Sequence, residues 1–200
     1  DIVQAVSQQG VHVLWGPEEE GKRKTPPSDH IVATLAHHVN ASRPGRKNVV
    51  ITLGATRSPV DDVRHVQNTS SGSTGWALAD HLHKHGHDVT CVAGITTVAA
   101  PAWLPLVLKC PTPERMLREC VALANDPIDA WVHAAAVLDY VVESPAEGKL
   151  ASQQGTLTLP LVESPKHIME LKAACEGAIR IGFKLESGIK QTDLIHRAFA

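Results

Sequence analysis

No uninterrupted apolar run in this 200-residue chain approaches the length of a bilayer span, and its first residues lack a basic-then-apolar leader. Neither a membrane segment nor an export signal is read from it. Charge of one sign is also scarce. Nineteen Lys and Arg stand against 21 Asp and Glu, a formal net charge of −2 with a pI near 6.7. That balance gives no reason to expect nucleic acid or an anionic membrane as partner. Cysteine is sparse: Cys91, Cys110, Cys120 and Cys175 lie far apart, with neither paired metal spacing nor a dense disulfide framework. Reduced thiols in a cytoplasmic enzyme are the expectation. An initiator methionine is missing and the sequence stops inside a helix-like segment, so a piece of a longer protein is expected. What the chain does have is 43% apolar residues, enough for one core in one ordinary domain.

The densest signal runs from Val49 to Gly75. An apolar strand, Val49-Val50-Ile51, ends in Gly54, and Arg57 and Arg64 follow. Asn68-Thr69-Ser70-Ser71-Gly72-Ser73-Thr74-Gly75 then leads into a helix. Gly and Ser at a strand-to-helix junction leave backbone N–H groups pointing at an anion, where the helix dipole favours negative charge. Two arginines can grip phosphate or carboxylate. Turn-rich surface loops have similar composition. The combination of strand end, two Arg, Asn and a Gly-rich helix start favours an anion cradle.

Elsewhere the chain reads as alternating strands and helices. Val11–Trp15 predicts a short strand, Gly16–Asp29 a charged loop or linker, and Asp29 a cap for a helix through Asn40 with Ile31, Val32, Leu35 and Val39 at helical spacing. Strands are predicted at 49–54, 89–93, 106–109 and 129–136, with helices at 75–85 and from Thr112-Pro113-Glu114 to about Asn125. Beyond these, Thr156–Leu161 predicts a strand, Pro165 to Glu176 a helix, Ile179–Leu185 a strand, and Gln191–Ala200 a helix. The expected fold is α/β: a Rossmann-like three-layer arrangement with a mostly parallel sheet. Ligands of such sheets bind at the carboxyl ends of the strands. The polar clusters Gly54–Arg57 with Asn68–Gly75, Ala134–Lys149, and Phe183–Glu186 all fall at such ends, which predicts one composite site. Asp139 could hold a metal or a ribose hydroxyl there, and Lys149 could neutralise a phosphate. A turn aspartate and a solvated lysine are the plainer alternatives. His81, His83, His85 and His87 include pairs spaced by four, but they read as a solvated helix tail away from the strand exits.

ITLGATRSPVDDVRHVQNTSSGSTGWALA resembles the opening of phosphopantothenate–cysteine ligases: a strand, Gly-x-Thr-x-x-x-x-Asp-x-Val-Arg, then Asn-x-Ser-Ser-Gly-x-x-Gly. AAAVLDY at Ala134–Tyr140, Pro165-Lys166-His167-Ile168 and Gly182-Phe183-Lys184-Leu185-Glu186-Ser187 resemble the family's later segments. The resemblance implies a ligase of coenzyme A synthesis that joins 4′-phosphopantothenate to L-cysteine through an acyl-nucleotide. It implies Asn68 and Lys149 as catalytic residues, and Arg64, Ser70, Ser71, Gly72 and Gly75 at the substrate. His133, Ala134, Ala135, Asp139, Lys149, Pro165, Lys166, His167, Ile168 and Phe183 would hold the nucleotide, with Phe183 against the base and Asp139 near Mg²⁺. Ala151 and Ser152 stand where fused bacterial members carry a further lysine pair, which leaves CTP and ATP both open. A homodimer acting on small molecules is implied as well.

Residues 1–47 resemble the tail of the flavin-dependent decarboxylase fused ahead of many such ligases, plus a linker, with the ligase domain at 48–200, shortened at its C-terminus. No Cys precedes Cys91, so neither decarboxylation nor bound FMN is expected of this stretch. Two other readings compete. An NAD(P)-dependent oxidoreductase would need Gly-x-Gly-x-x-Gly after the first strand, where Gly54-Ala55-Thr56 stands, and an acid ending the second. A non-catalytic interaction module could keep the ligase fold.

Overall fold

In the computed structural model the described residues are 6, 8, 11–152, 155–185, 188, 190, 192–193 and 195. The start of the N-terminal extension, Glu186 and Ser187, and most of the helix expected over Gln191–Ala200 lie outside them.

A two-residue hairpin, β1 (Glu18–Glu19) with β2 (Lys22–Arg23), precedes helix α1 (Ser28–Ala41). The main fold follows as β3 (Asn48–Leu53), β4 (Arg57–Pro59), β5 (His65–Gln67), α2 (Ser73–Lys84), β6 (Asp88–Ala93), β7 (Leu106–Lys109) and α3 (Pro113–Leu123). It continues through β8 (Ala130–His133), β9 (Tyr140–Val142), β10 (Leu161–Glu163), α4 (His167–Glu170) and β11 (Ile179–Gly182). Five strands form a wholly parallel sheet in the order β11-β8-β3-β6-β7. The chain therefore starts in the middle, winds one way through β6 and β7, then returns past β3 to wind the other way. The winding reverses between β3 and β8, and open sheets of this kind form their ligand crevice at that point.

Side chains alternate across β3 and so feed two cores. Val49, Ile51 and Leu53 pack with Trp76 and Ala79 of α2 on one face. Val50 joins Val92, Met116, Cys120, Trp131 and Leu171 on the other. The three layers expected from the alternating pattern are present. All four cysteines are buried and unpaired, and burial pushes the Cys91 and Cys120 thiols up to about 12. No helix among the described residues is long and apolar enough to cross a membrane.

The start of α3 follows its sequence closely. The Thr112 hydroxyl accepts the Arg115 amide at 3.3 Å, and Pro113 takes the first turn, where its missing N–H costs nothing. At α2 the glycines do separate jobs. Gly72 caps the helix at φ 78°, a left-handed conformation that disfavours a side chain. Gly75 lets the helix sit down on the sheet, since a Cβ there would stand 2.3 Å from Leu53 Cβ. Gly75→Ala should lower unfolding stability by about 1–3 kcal/mol in denaturant titration, as overpacking does. An unchanged midpoint would show that α2 has room to lift.

Several local expectations need correction. Val11–Trp15 forms no strand. Asp29 does not cap α1: Pro27 holds that position without a side-chain bond, and Asp29 lies in the first turn, where it faces the positive helix end. The apolar residues Ile31, Val32, Leu35 and Val39 are exposed, and Ala33 is the buried position of the helix. Instead α1 leans on α2 through polar groups. Asn40 Nδ2 donates to the Lys84 carbonyl at 2.8 Å, and His37 Nδ1 lies 2.8 Å from the His83 carbonyl. His83 is consequently buried and stacks on His37 at 4.0 Å, so the histidine-rich tail is not simply solvated. The strand expected at Thr156–Leu161 forms at Leu161–Glu163, paired antiparallel with β9. The helix expected to reach Glu176 stops at Glu170 and continues as turns.

Candidate functional site

Just past the ends of β3 and β8 the backbone is laced into a platform. The Ala134 amide donates to the Thr52 carbonyl at 3.0 Å, Ala136 to Gly54 at 2.8 Å, and Thr56 back to Ala136 at 3.1 Å. Buried hydroxyls continue the lacing: Thr56 Oγ1 accepts the Leu138 amide and Ser58 Oγ the Val142 amide, each at 2.9 Å. A cavity of about 670 Å³ opens on this platform. His133, Ala135, Asp139, Pro165, Lys166, His167, Ile168 and Phe183, the residues that the resemblance assigns to a nucleotide, all line it. Ala134 belongs to the same platform backbone. Thr52 and Arg180 also line the cavity and were not anticipated, while Lys184 lines it from the Phe183–Glu186 cluster. Arg180 sits mid-strand in an isoleucine-flanked run, where nothing in the sequence marks it as a site residue.

The cavity combines an apolar surface with cations. Phe183 is 57% exposed and Ile168 39%, so neither is a core residue, and both present apolar surface to the cavity. Positive charge comes from Lys166, Arg180 and Lys184. The two imidazoles contribute none at neutral pH. Burial, with the Arg180 guanidinium and His167 nearby, pushes His133 down to about 4, and burial also lowers His167. Asp139 is exposed, and its carbonyl accepts the Ser164 amide at 2.8 Å, tying the platform to β10.

Asn68 follows β5, the return strand of an antiparallel hairpin with β4. Its amide nitrogen donates to the carbonyls of Ala136 at 3.2 Å and Val137 at 3.0 Å. Two acceptor carbonyls fix which end is nitrogen, so Oδ1 is left as an acceptor for a ligand. Ser70 and Ser71 come next. Ser70 Oγ faces the Gly72 amide at 3.4 Å, and the Ser71 carbonyl accepts the amides of Thr97 and Val98, both at 3.2 Å. These residues build the turn before α2. Gly72 and Gly75 have the backbone and packing roles described above.

Lys149 is exposed and outside the cavity lining, in the connection between β9 and β10. Its neighbours Gly148 and Leu150 are bonded to the far turn of the β4–β5 hairpin. Arg64, in that turn, is committed mostly to structure: Nε donates to Asp61 at 2.9 Å and Nη2 to the Leu150 carbonyl at 2.7 Å. Asn68 and Lys149 thus hang from opposite ends of one hairpin. The four Cα steps from Arg64 through the three-residue β5 to Asn68 span roughly 13 Å, a distance that a lysine side chain and a polyphosphate together can bridge. Among the described residues no group of three or more His, Cys, Asp or Glu side chains could hold a metal ion, which includes the histidines of α2.

Residues 45–198 match the DNA/pantothenate metabolism flavoprotein C-terminal domain. The chain is 32% identical over 197 residues to a coenzyme A biosynthesis bifunctional protein CoaBC of Thermococcus kodakarensis, covering 98% of this chain and 48% of that protein. It is 33% identical over 190 residues to the CoaBC protein of Methanocaldococcus jannaschii, covering 94% and 46%. The chain therefore spans about half the length of these curated relatives. Among solved structures, the C-terminal domain of a CoaBC protein superposes with a TM-score of 0.64 at 24% identity, over 80% of this chain and 74% of that one. A Cab2 mutant in complex with phosphopantothenate-cysteine superposes with a TM-score of 0.58 at 19% identity, over 92% and 76%. At these identities the structural likeness speaks for the fold alone.

Proposed function

This chain belongs to the DNA/pantothenate metabolism flavoprotein C-terminal domain family, and from that premise we propose that it condenses 4′-phosphopantothenate with L-cysteine. In this reading the pantothenate carboxylate attacks the α-phosphorus of CTP or ATP, and pyrophosphate leaves. The cysteine amine then attacks the acyl carbonyl, and the nucleoside monophosphate leaves as the amide forms. The observation carrying the proposal is the cavity at the β3/β8 switch, lined by the nucleotide residues that the sequence pattern names. Phe183 and Ile168 would take the base, while Lys166 and Arg180 would face phosphate charge. Asn68, its amide nitrogen already engaged, would orient the acyl group through Oδ1. Ser70, Ser71, the Gly72 backbone and the remaining Arg64 nitrogen, Nη1, would meet the pantothenate and its phosphate. Lys149 would stand over the triphosphate.

The first step brings two anions together, so repulsion must be offset. Among the described residues Asp139 is the carboxylate lining the cavity, and one acid fits a Mg²⁺ ion carried by the triphosphate better than a protein-built metal site. Bound there, the ion would neutralise phosphate charge. We read residues 1–47 as an extension ahead of the ligase fold, without FMN, and the chain as part of a cytoplasmic homodimer. The dinucleotide oxidoreductase has little support, because β3 runs into Gly54-Ala55-Thr56 and β6 ends at Ala93 without an acid.

Calorimetric titration of the full-length protein with CTP and with ATP, each with Mg²⁺, tests this assignment. One of the two should bind, and Phe183→Ala should weaken it by about 1–3 kcal/mol, the worth of stacking a base on an aromatic ring. Binding of neither nucleotide would leave the interaction module as the better reading.

A further inference from the structure

The Asp61 side chain is wholly shielded from solvent, yet nothing in the proposed chemistry uses it. Four donors converge on its two oxygens. Oδ1 accepts the amides of Val63 at 2.9 Å and Arg64 at 2.7 Å; Oδ2 accepts Arg64 Nε at 2.9 Å and the Leu150 amide at 3.1 Å. Three of these close the hairpin turn on itself. The fourth reaches across 89 residues of sequence to the peptide just after Lys149. Arg64 completes the grip through Nη2 on the Leu150 carbonyl, 2.7 Å away. On the other flank the Asp62 amide donates to the Gly148 carbonyl at 3.3 Å and the Ala146 amide to Val60 at 3.0 Å. Lys149 itself takes part in none of these bonds. Its neighbours on both sides do.

Burial alone would raise the Asp61 carboxyl, but the amides of Val63, Arg64 and Leu150 and the Arg64 side chain outweigh it and hold the group down at about 2. It is ionised at neutral pH, where a carboxylate accepts on both oxygens and donates from neither. An amide in its place has one accepting atom and could keep either the turn or Leu150, not both.

We propose that Asp61 is a positioning residue: through the Leu150 amide and the Arg64 guanidinium it sets where the Lys149 ammonium stands over the nucleotide. The inference rests on the ligase reading of Lys149. Displacing a reacting group by about 1 Å can cost on the order of a hundredfold in rate, so loosening the clasp is felt in turnover through Lys149.

Asp61→Asn in the full-length protein tests it. Acyl-nucleotide formation, followed as pyrophosphate release, should fall about a hundredfold, with amide exchange across 146–151 accelerated and exchange of β3 and β8 unchanged. In a Lys149→Ala background the same change should alter the residual rate by less than about threefold, because the two residues act as one unit. A rate within about threefold of wild type, or the same factor lost in both backgrounds, would overturn the proposal. Exchange in the wild-type protein decides the matter even if the variant does not fold: a protected Leu150 amide supports the clasp, and an unprotected one ends it. A wild-type protein that releases no pyrophosphate would sink the ligase reading itself, while the exchange result still judges the clasp.

Discussion

Lys149→Ala in the full-length protein is expected to slow acyl-nucleotide formation on the order of 10²–10³-fold while leaving the fold intact. In the proposed first step a carboxylate approaches a triphosphate, and the ammonium, beside the cavity's own cations, offsets the negative charge gathering at the α-phosphorus. Removing one preorganised charge-stabilising group costs on the order of 10²–10³-fold in rate. The side chain is exposed and lies in an irregular connection, so its loss should change stability by no more than about 0.5 kcal/mol. Pyrophosphate release with nucleotide and phosphopantothenate, cysteine omitted, isolates the step. Wild-type release would remove Lys149 from the chemistry and with it the reason for the Asp61 clasp.

Asn68→Ala should separate the two half-reactions. Its amide nitrogen holds the Ala136 and Val137 carbonyls, so truncation loosens the platform by about 1 kcal/mol for each neutral hydrogen bond. That loss leaves the first half-reaction slowed but measurable. The Oδ1 atom that would orient the acyl carbonyl is gone, however, and amide formation should fall on the order of 10²–10³-fold. Rapid-quench analysis should then find acyl-nucleotide accumulating when cysteine is present. Full turnover without accumulation would take Asn68 out of the mechanism.

Much of the sheet was legible because its signals are local and strong. Val49–Leu53 is apolar on both faces, as a strand buried from both sides must be. Leu106–Lys109 falls where its apolar run stands, and Thr112-Pro113 marks the start of α3 by hydroxyl and ring. The small antiparallel pairs β4–β5 and β9–β10 were not legible. Arg57–Pro59 and His65–Gln67 are three residues each, mostly polar, and Pro59 argues against a strand; pairing alone makes them one. Leu161–Glu163 likewise becomes a strand because β9 lies beside it, not because its neighbours alternate. Asp61 could have been found: an Asp two and three residues before amides it can accept is the signature of an Asx turn. Its reach to Leu150 could not, since nothing short of the fold brings positions 61 and 150 together. The stripe on α1 shows the opposite failure. Helical periodicity predicted the helix, but the face that meets α2 is the one bearing Ala33, His37 and Asn40.

Because all four sulfhydryls of the chain are buried and burial raises the pKa of each, the folded chain should react slowly with alkylating reagents. Uptake of such a reagent is therefore a clock for opening of the interior, and it runs without any engineered reporter.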